Sequence, residues 1–440
     1  MPRPLPLRGL SRGALARLTR TDARPRLRST AAVFTTMSAL AATSILTGPS
    51  VAEPFSTAPC ALQRTGAHHS EGVDTWNAAY VRPRRSLDAV MVFLSFPDAV
   101  PRTTPAELTA DHFPATSRFF TQASYGRFTL RPHALDRWIR MPRPSTSYDI
   151  RRDWSVERRG AYLRDALAAA DREVDFSRYD IVYLVADPDA PGVDSDATKV
   201  VNLDTPVRLD GTDVRRVVTV FEKHPPDRLV LAHETGHVFD LPDLYHRPVD
   251  GKGDWDTYVG DWDLMGSQFG LAPDLFAWHK WKLGWLDPRQ VVCVRGAGPT
   301  RLTLEPLAAG EETPVEGAAG SPSFGLGDGV KLAVVRTGPD SALAFEARGP
   351  AGNDRAECRQ GVLVYRVHSG AESGGGPIEV VDAHPRTEAC WEGSVYPPLA
   401  DAPVSLGESF TVPGEGVRVE AQSRTTSGAW TIKITPTLGT

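Results

Sequence analysis

Short apolar runs alternate with amphipathic segments through the middle of the chain. Ala89 to Leu94, Tyr179 to Val185 and Val217 to Phe221 are compact and mostly apolar, which is typical of buried strands. Thr104 to Ala123 and Arg159 to Val174 place their apolar residues at helical spacing. This alternation predicts an α+β fold in which a mixed sheet is backed by helices.

The pattern changes after Trp285. From about residue 288 onwards the chain is rich in Gly, Pro, Val and Thr, with short alternating runs such as Val330 to Val335 and Trp430 to Ile434. Short strands separated by turns at this spacing predict a β-sandwich-like accessory domain. A further strand, Phe128 to Leu130, is predicted in the first part of the chain.

The N-terminus has the order of a secretory signal peptide. Many arginines and a single acid, Asp22, precede the uncharged run Ala31 to Leu46, and the small-residue sequence Ser50-Val51-Ala52 follows. A membrane anchor is the alternative, but this run is short and threonine-rich for a bilayer span. We therefore expect cleavage near Ala52 and a secreted, extracellular monomer with no stable membrane association.

The segment Leu231 to Tyr245, LAHETGHVFDLPDLY, carries the candidate chemistry. On a helix, His233 and His237 project from one face about a turn apart and can share one metal ion. Glu234 beside them can take a proton from a water molecule that the metal has made acidic. The alternative is a pair of hydrogen-bonded core histidines. The spacing predicts a zinc hydrolase.

A catalytic zinc site usually takes three protein ligands. In the pattern H-E-x-x-H-x-x-G-x-x-H, a chain reversal after the second histidine brings back the third ligand, and the equivalent position here is Asp243, with His246 as second choice. Asp240 replaces the glycine of the turn, and aspartate enters the left-handed region with modest strain. Asp240 is itself an alternative ligand, provided that the helix unwinds directly after His237.

Two further features follow the candidate ligands. Met265, in the segment DWDLMG, is placed for the methionine turn that the pattern requires beneath the metal, although a lone methionine also serves as core filler. The loop Asp250 to Asp263 is rich in acids and glycines and is a candidate for Ca²⁺, but its spacing is not that of an EF-hand. A solvated loop at the rim of the site is the alternative.

The four cysteines fit an exported protein. Cys60, Cys293, Cys358 and Cys390 can form two disulfides in three ways, and we favour Cys358 with Cys390 and Cys60 with Cys293. An alternative is that the Cys60 thiolate caps the zinc as a latency switch.

Composition excludes some partners. The formal net charge is -5, and no basic block remains after the signal segment. Nucleic acid and anionic membranes are therefore not expected as partners. We expect protein or peptide substrates.

Several segments, taken in order, resemble the immune inhibitor A family of secreted bacterial zinc metallopeptidases, a metzincin-like family also called peptidase family M-six. The matching segments are FLSFPD (93–98), FFTQASYGRF (119–128), WIRMP (138–142), residues 233–245, WDLMG (262–266) and residues 278–285. The histidine-glutamate segment alone is chemically diagnostic. The resemblance implies zinc-dependent endoproteolysis, with His233, His237 and Asp243 as ligands and Glu234 as general base.

These observations divide the chain into four parts. We predict a signal peptide (1–52), an N-terminal segment (53–86), a metzincin-like zinc-protease domain (87–287) and a β-rich C-terminal domain (288–440). Two other functions stay open: a secreted pseudo-protease that only binds its partners, which Asp240 favours, and a zinc hydrolase of a non-peptide substrate.

Overall fold

The computed structural model describes residues 60–65, 71–227, 229–248, 252–271, 273–296, 298–310 and 327–436. The predicted signal peptide, residues 1–52, lies outside these ranges. Within them the chain has an α+β fold, as the sequence pattern predicts. None of the helices in the described ranges is long and apolar enough to cross a membrane.

The helices and strands are numbered in chain order. The helices are α1 (Pro105–His112), α2 (Ala115–Ala123), α3 (Val156–Ala170), α4 (Val230–Val238) and α5 (Ala277–Leu283). The strands are β1 (Ser86–Ser95), β2 (Thr129–Arg140), β3 (Ile181–Ala186), β4 (Lys199–Leu209), β5 (Thr212–Val220), β6 (Val291–Val294), β7 (Thr300–Leu304), β8 (Leu332–Arg336), β9 (Ser341–Arg348), β10 (Gly361–His368), β11 (Ile378–Val380), β12 (Ser409–Val412), β13 (Val417–Arg424) and β14 (Trp430–Pro436).

The first sheet is mixed and has the strand order β2-β1-β3-β5-β4. Strands β2, β1, β3 and β5 run parallel, and the edge strand β4 pairs antiparallel with β5. Both faces are covered, since alternate side chains of β1 enter two different cores. Ala89, Met91 and Phe93 join the core that contains α4 and α5, whereas Val90 and Val92 join the core that contains α3.

Three local features differ from what the sequence predicts. The single helix expected from Thr104 to Ala123 is two helices, because Pro114 lacks the backbone N–H and its ring blocks a continuous helix. Strand β2 runs on to Arg140, but most of its side chains are exposed at the sheet edge, so it carries little apolar signal. Strand β4 was not predicted, because its sequence KVVNLDTPVRL mixes polar and apolar residues.

The C-terminal part forms two sheets that share one core. The second sheet has the order β11-β10-β9-β8-β6 and the third has the order β12-β13-β14-β7. Phe345 and Val364 of the second sheet lie in the same buried cluster as Trp430 and Ile432 of the third. The sheets therefore face each other as a sandwich, which is the arrangement that the alternating runs predict.

The second sheet is buried on its other face as well. Leu363 and Tyr365 of β10 belong to the core that also contains helix α5. The rings of Tyr365 and Phe276 lie 4.4 Å apart, and the Tyr365 hydroxyl accepts a hydrogen bond from the Trp278 backbone N–H at 3.3 Å. One continuous core thus joins the first part of the chain to the sandwich.

Arg348 forms a fully buried ion-pair network next to this core. Its guanidinium donates two hydrogen bonds to Asp354, at 2.7 and 2.6 Å, one to Glu346 at 2.9 Å, and one to the Trp262 carbonyl at 2.9 Å. Both ion pairs have no exposed side-chain surface. Because buried charges are tolerated only when paired, this network ties β9 to the segment before α5.

The cysteines pair as the sequence analysis favoured. Cys60 is bonded to Cys293 in β6, and Cys358 is bonded to Cys390. The alternative that Cys60 caps a metal is wrong, because its sulfur is committed to a disulfide. Two disulfides fit an exported protein.

Replacing Arg348 by methionine tests the buried network. The Arg348→Met variant leaves Asp354 and Glu346 buried without their counter-charge, so we expect a loss of about 3–5 kcal/mol in the free energy of unfolding. Arg289→Met is the matched control, because Arg289 pairs with Asp328 on the surface, and we expect no measurable loss there. Urea unfolding measures both, and equal stabilities would contradict the account.

Candidate metal centre

Helix α4 presents its two histidines on one face, as the spacing predicts. The ring centroids of His233 and His237 lie 5.0 Å apart. On the opposite face, the Thr235 hydroxyl is 2.9 Å from the Tyr183 hydroxyl of β3. The helix is therefore fixed to the first sheet on one side and directs both imidazoles to the other.

The chain reverses directly after the helix at Asp240. This residue has a φ of 65°, in the left-handed region, so the turn forms although aspartate replaces glycine. The backbone N–H of Leu241 donates to the Gly236 carbonyl at 3.1 Å and closes the turn. The reversal brings Asp243 back over the face of α4 that carries the histidines.

Three ligand atoms converge at this point. One nitrogen of His233, one of His237 and one oxygen of Asp243 all lie within 4.8 Å of one another, and no other such group of three occurs among the residues that the structure describes. Asp243 Oδ1 is 3.3 Å from His233 Nε2 and 3.1 Å from His237 Nε2. Although it is buried, Oδ1 has no partner in hydrogen-bond geometry. These three atoms are therefore the candidates to hold one cation.

The Nδ1 atoms of the two imidazoles contact backbone carbonyls. His233 Nδ1 is 2.9 Å from the Leu264 carbonyl, and His237 Nδ1 is 2.8 Å from the Leu241 carbonyl. A carbonyl can only accept, so each Nδ1 carries a proton, and in the neutral form of either ring the lone pair of Nε2 faces Asp243. Backbone carbonyls that hold imidazoles in this tautomer are typical of metal sites.

The Asp243 carboxylate and the His237 imidazole shift each other's pKa values. Burial lowers the pKa of His237, but the nearby Asp243 carboxylate outweighs this effect and raises the pKa to about 10. Burial raises the pKa of Asp243, but the two imidazoles outweigh it and hold that pKa well below its usual range. The buried carboxylate thus favours positive charge on the imidazole beside it.

Glu234 lies beside the ligands and faces the edge strand. Its Oε2 accepts a hydrogen bond from the backbone N–H of Val200 in β4 at 2.9 Å. Burial raises the pKa of Glu234, and the two nearby histidines lower it in part. A carboxyl held in this way can both accept and return a proton.

Met265 lies against the helix that carries the histidines. A Cβ atom added at Gly236 would be 2.4 Å from the Met265 sulfur, so glycine is required for this close approach. The Leu244 backbone N–H donates to the Met265 carbonyl at 2.9 Å, which links the methionine turn to the chain just after Asp243. Met265 therefore packs against α4, and its role as a methionine turn beneath a metal ion stays a prediction.

The other candidate ligands lie apart from the three atoms. The Asp240 carboxylate is paired with the Lys282 ammonium at 2.8 Å. The His246 ring packs against the Tyr258 ring at 4.9 Å. Neither side chain belongs to the group of three.

The acidic loop is described only in part, because residues 249–251 lie outside the described ranges. Asp261 accepts hydrogen bonds from the Val395 backbone at 3.0 Å and from the Leu271 backbone at 3.2 Å. Asp263 accepts from the Met265 backbone at 2.8 Å and is 3.0 Å from His279 Nδ1. These two carboxylates therefore bind the loop to neighbouring parts of the protein, and calcium binding stays a prediction.

Ser373 binds Asp243, the third candidate ligand, and was missed by sequence reasoning. The Asp243 backbone N–H donates to Ser373 Oγ at 2.9 Å, and that hydroxyl donates to Asp243 Oδ2 at 3.3 Å. The Gly374 backbone N–H also donates to the Asp243 carbonyl at 2.9 Å. The sequence offers only a glycine-rich loop at Gly370 to Pro377, so no signal identifies the serine.

A row of aromatic and basic side chains extends from the His233 ring. The Tyr245 ring is stacked on the His233 ring at 6.4 Å, and the Trp255 ring follows at 5.3 Å from Tyr245. The Arg152 guanidinium lies 4.5 Å from the centre of the Trp255 ring, and Lys199 Nζ donates to the Arg152 carbonyl at 2.8 Å. Two cationic side chains, Arg152 and Lys199, thus lie at the end of this row near β4.

Replacing Gly236 by alanine tests the contact with Met265. The methyl group would overlap the sulfur, so we expect Gly236→Ala to lower the free energy of unfolding by about 1–3 kcal/mol. Gly160→Ala is the matched control in α3, where the added atom meets only the flexible end of Arg164 at 3.3 Å. There we expect a gain of about 0.5–1 kcal/mol from helix propensity. Equal stabilisation of both variants in thermal unfolding would contradict the packing.

No protein-family model matches the chain, and none of the curated proteins matches it. Among solved structures, two crystal forms of OgpA from Akkermansia muciniphila match. One is 10% identical over 69% of this chain and 94% of that chain, with a TM-score of 0.25. The other is 10% identical over 72% of this chain and 95% of that chain, also with a TM-score of 0.25. At this TM-score the similarity supports no conclusion about fold or activity.

Proposed function

We propose that this chain is a secreted zinc-dependent endopeptidase related to the immune inhibitor A family. The observation that carries the proposal is the convergence of His233 Nε2, His237 Nε2 and Asp243 Oδ1 on one point, with Glu234 on the same helix. The metzincin-like fold is part of this proposal, and the mixed sheet with the antiparallel edge strand β4 supports it.

The donor atoms suit zinc. Two imidazole nitrogens and one carboxylate oxygen form a ligand set that leaves a fourth tetrahedral position open, as catalytic zinc sites do. When bound, zinc would polarise a carbonyl group and lower the pKa of a water molecule toward neutrality. His233, His237 and Asp243 would hold the ion, and the two backbone carbonyls on their Nδ1 atoms would keep the imidazoles oriented.

Glu234 is the proposed general base and then general acid. Its carboxylate takes a proton from the attacking water and returns one to the leaving amine of the scissile bond. The Val200 N–H holds its Oε2 in place, and burial raises its pKa toward the range in which it can do both.

Strand β4 favours a peptide as substrate. It is the edge of the first sheet in the described residues, and its Val200 N–H faces Glu234 and not a neighbouring strand. An extended peptide can pair with an exposed strand edge through its own backbone, with its scissile bond near the base. The pseudo-protease alternative is favoured if Asp240 disrupts the turn after α4. Asp240 instead adopts the left-handed conformation that the turn requires.

Zinc content and casein digestion test the proposal together. We expect about one zinc per chain in the wild type, with cleavage that a chelator abolishes. Glu234→Gln should bind zinc normally and lose about 10²–10⁴-fold in rate. Asp243→Ala should lose both zinc and activity.

Each alternative has its own outcome in this experiment. A folded wild type without zinc or cleavage would favour the binding protein. Zinc binding without cleavage of casein or gelatin would favour a non-peptide hydrolase. Full activity of Glu234→Gln would rule out its role as the base.

Removing the Ser373 hydroxyl tests the support of the third ligand. Ser373→Ala removes one hydrogen-bond partner from the Asp243 carboxylate and from the Asp243 backbone N–H. We therefore expect the zinc affinity to fall about tenfold. Ser427→Ala is the control, since its hydroxyl only contacts Thr425 on the surface. Competition with a chromophoric chelator measures both affinities, and equal values would refute a role for Ser373.

A further inference from the structure

Lys282 and Asp240 form a buried ion pair behind the candidate metal centre. Lys282 Nζ, at the end of α5, lies 2.8 Å from Asp240 Oδ2, and the two side chains are 2% and 0% exposed. The same ammonium donates to the Asp240 backbone carbonyl at 2.6 Å and to the Gly72 carbonyl. Lys282 therefore binds one residue through both its side chain and its main chain.

Burying these two charges is costly unless they stay paired. The Asp240 carboxylate also accepts a hydrogen bond from the Asn77 backbone N–H at 3.2 Å. With its carboxylate and carbonyl both bound, Asp240 is held in the left-handed conformation that only glycine adopts without strain.

The residues that follow Asp240 help to build the proposed metal centre. Leu241 supplies the carbonyl that orients His237, at 2.8 Å from Nδ1. The turn also returns the chain to Asp243. Any shift of Asp240 therefore moves the orientation of one ligand and the position of another.

We propose that Lys282 is a positioning residue for the metal centre, which holds the Asp240 turn in the place of the glycine of the metzincin pattern. Glycine needs no partner in this conformation, whereas aspartate is held there by the ammonium. This inference rests on the proposed zinc site, but it concerns the turn and not the chemistry.

Zinc affinity, measured by competition with a chromophoric chelator, tests the proposal. We expect Lys282→Met to bind zinc at least about tenfold more weakly, because the unpaired Asp240 carboxylate pulls the turn towards solvent. The double variant Asp240→Gly with Lys282→Met should bind zinc within about threefold of wild type, because glycine holds the turn without a charge. Rescue by this double variant but not by Asp240→Ala with Lys282→Met is the result that a merely structural ion pair would not produce, because both double variants remove both charges and differ only in the cost of a positive φ.

Lys331→Met is the matched control for the loss of a buried lysine. Lys331 is fully buried and pairs with Glu305 at 3.5 Å, away from the candidate ligands. We expect this variant to lose stability in thermal unfolding while its zinc affinity stays within about twofold of wild type.

A second pair of variants decides the question if Lys282→Met does not fold. Asp240→Gly and Asp240→Ala both remove the carboxylate and differ in the cost of a positive φ. We expect zinc affinity to be about tenfold lower for the alanine variant, because alanine leaves the left-handed region in the zinc-free protein.

Two outcomes would overturn the inference: native zinc affinity in Lys282→Met, or equal affinities for the glycine and alanine variants. A wild type that binds no zinc would instead overturn the proposed function, and the inference with it.

Discussion

The chain reversal after helix α4 is the constraint on which the site depends. A third ligand can join His233 and His237 only if the backbone turns back over the same helix face within a few residues, and that turn requires a positive φ. The chain meets this requirement with Asp240 at a φ of 65° and a buried lysine that binds its carboxylate and its carbonyl. The positive φ of Asp240, its buried ion pair with Lys282 and the position of the candidate ligand Asp243 therefore depend on one another.

The C-terminal sandwich contributes to the same arrangement. Its second sheet is buried on both faces, and the Arg348 network fixes it to the segment that carries the methionine turn. The loop that contains Ser373 and Gly374 reaches the third ligand and binds both its side chain and its backbone. The part of the chain that the sequence predicts to be an accessory domain therefore helps to position Asp243.

The sequence predicts which residues of α4 and of the turn after it lie close together, because that geometry follows from their spacing. Helical spacing brings His233 and His237 to one face of α4, and the position in the motif singles out Asp243. The favoured disulfide pairing is present as well. Lys282 and Ser373 could not be found in this way, because their contacts join residues far apart in the chain. Strand β4 was missed because an edge strand carries a mixed polar pattern.

The measurement that tests the account most directly is a crystal structure of the zinc-soaked protein, with anomalous diffraction recorded on both sides of the zinc absorption edge. The account predicts one strong peak bounded by His233 Nε2, His237 Nε2 and Asp243 Oδ1, at about 2.0–2.2 Å from each. Absence of a peak at these atoms, or a zinc ion bound by Asp240 or His246 in place of Asp243, would contradict it.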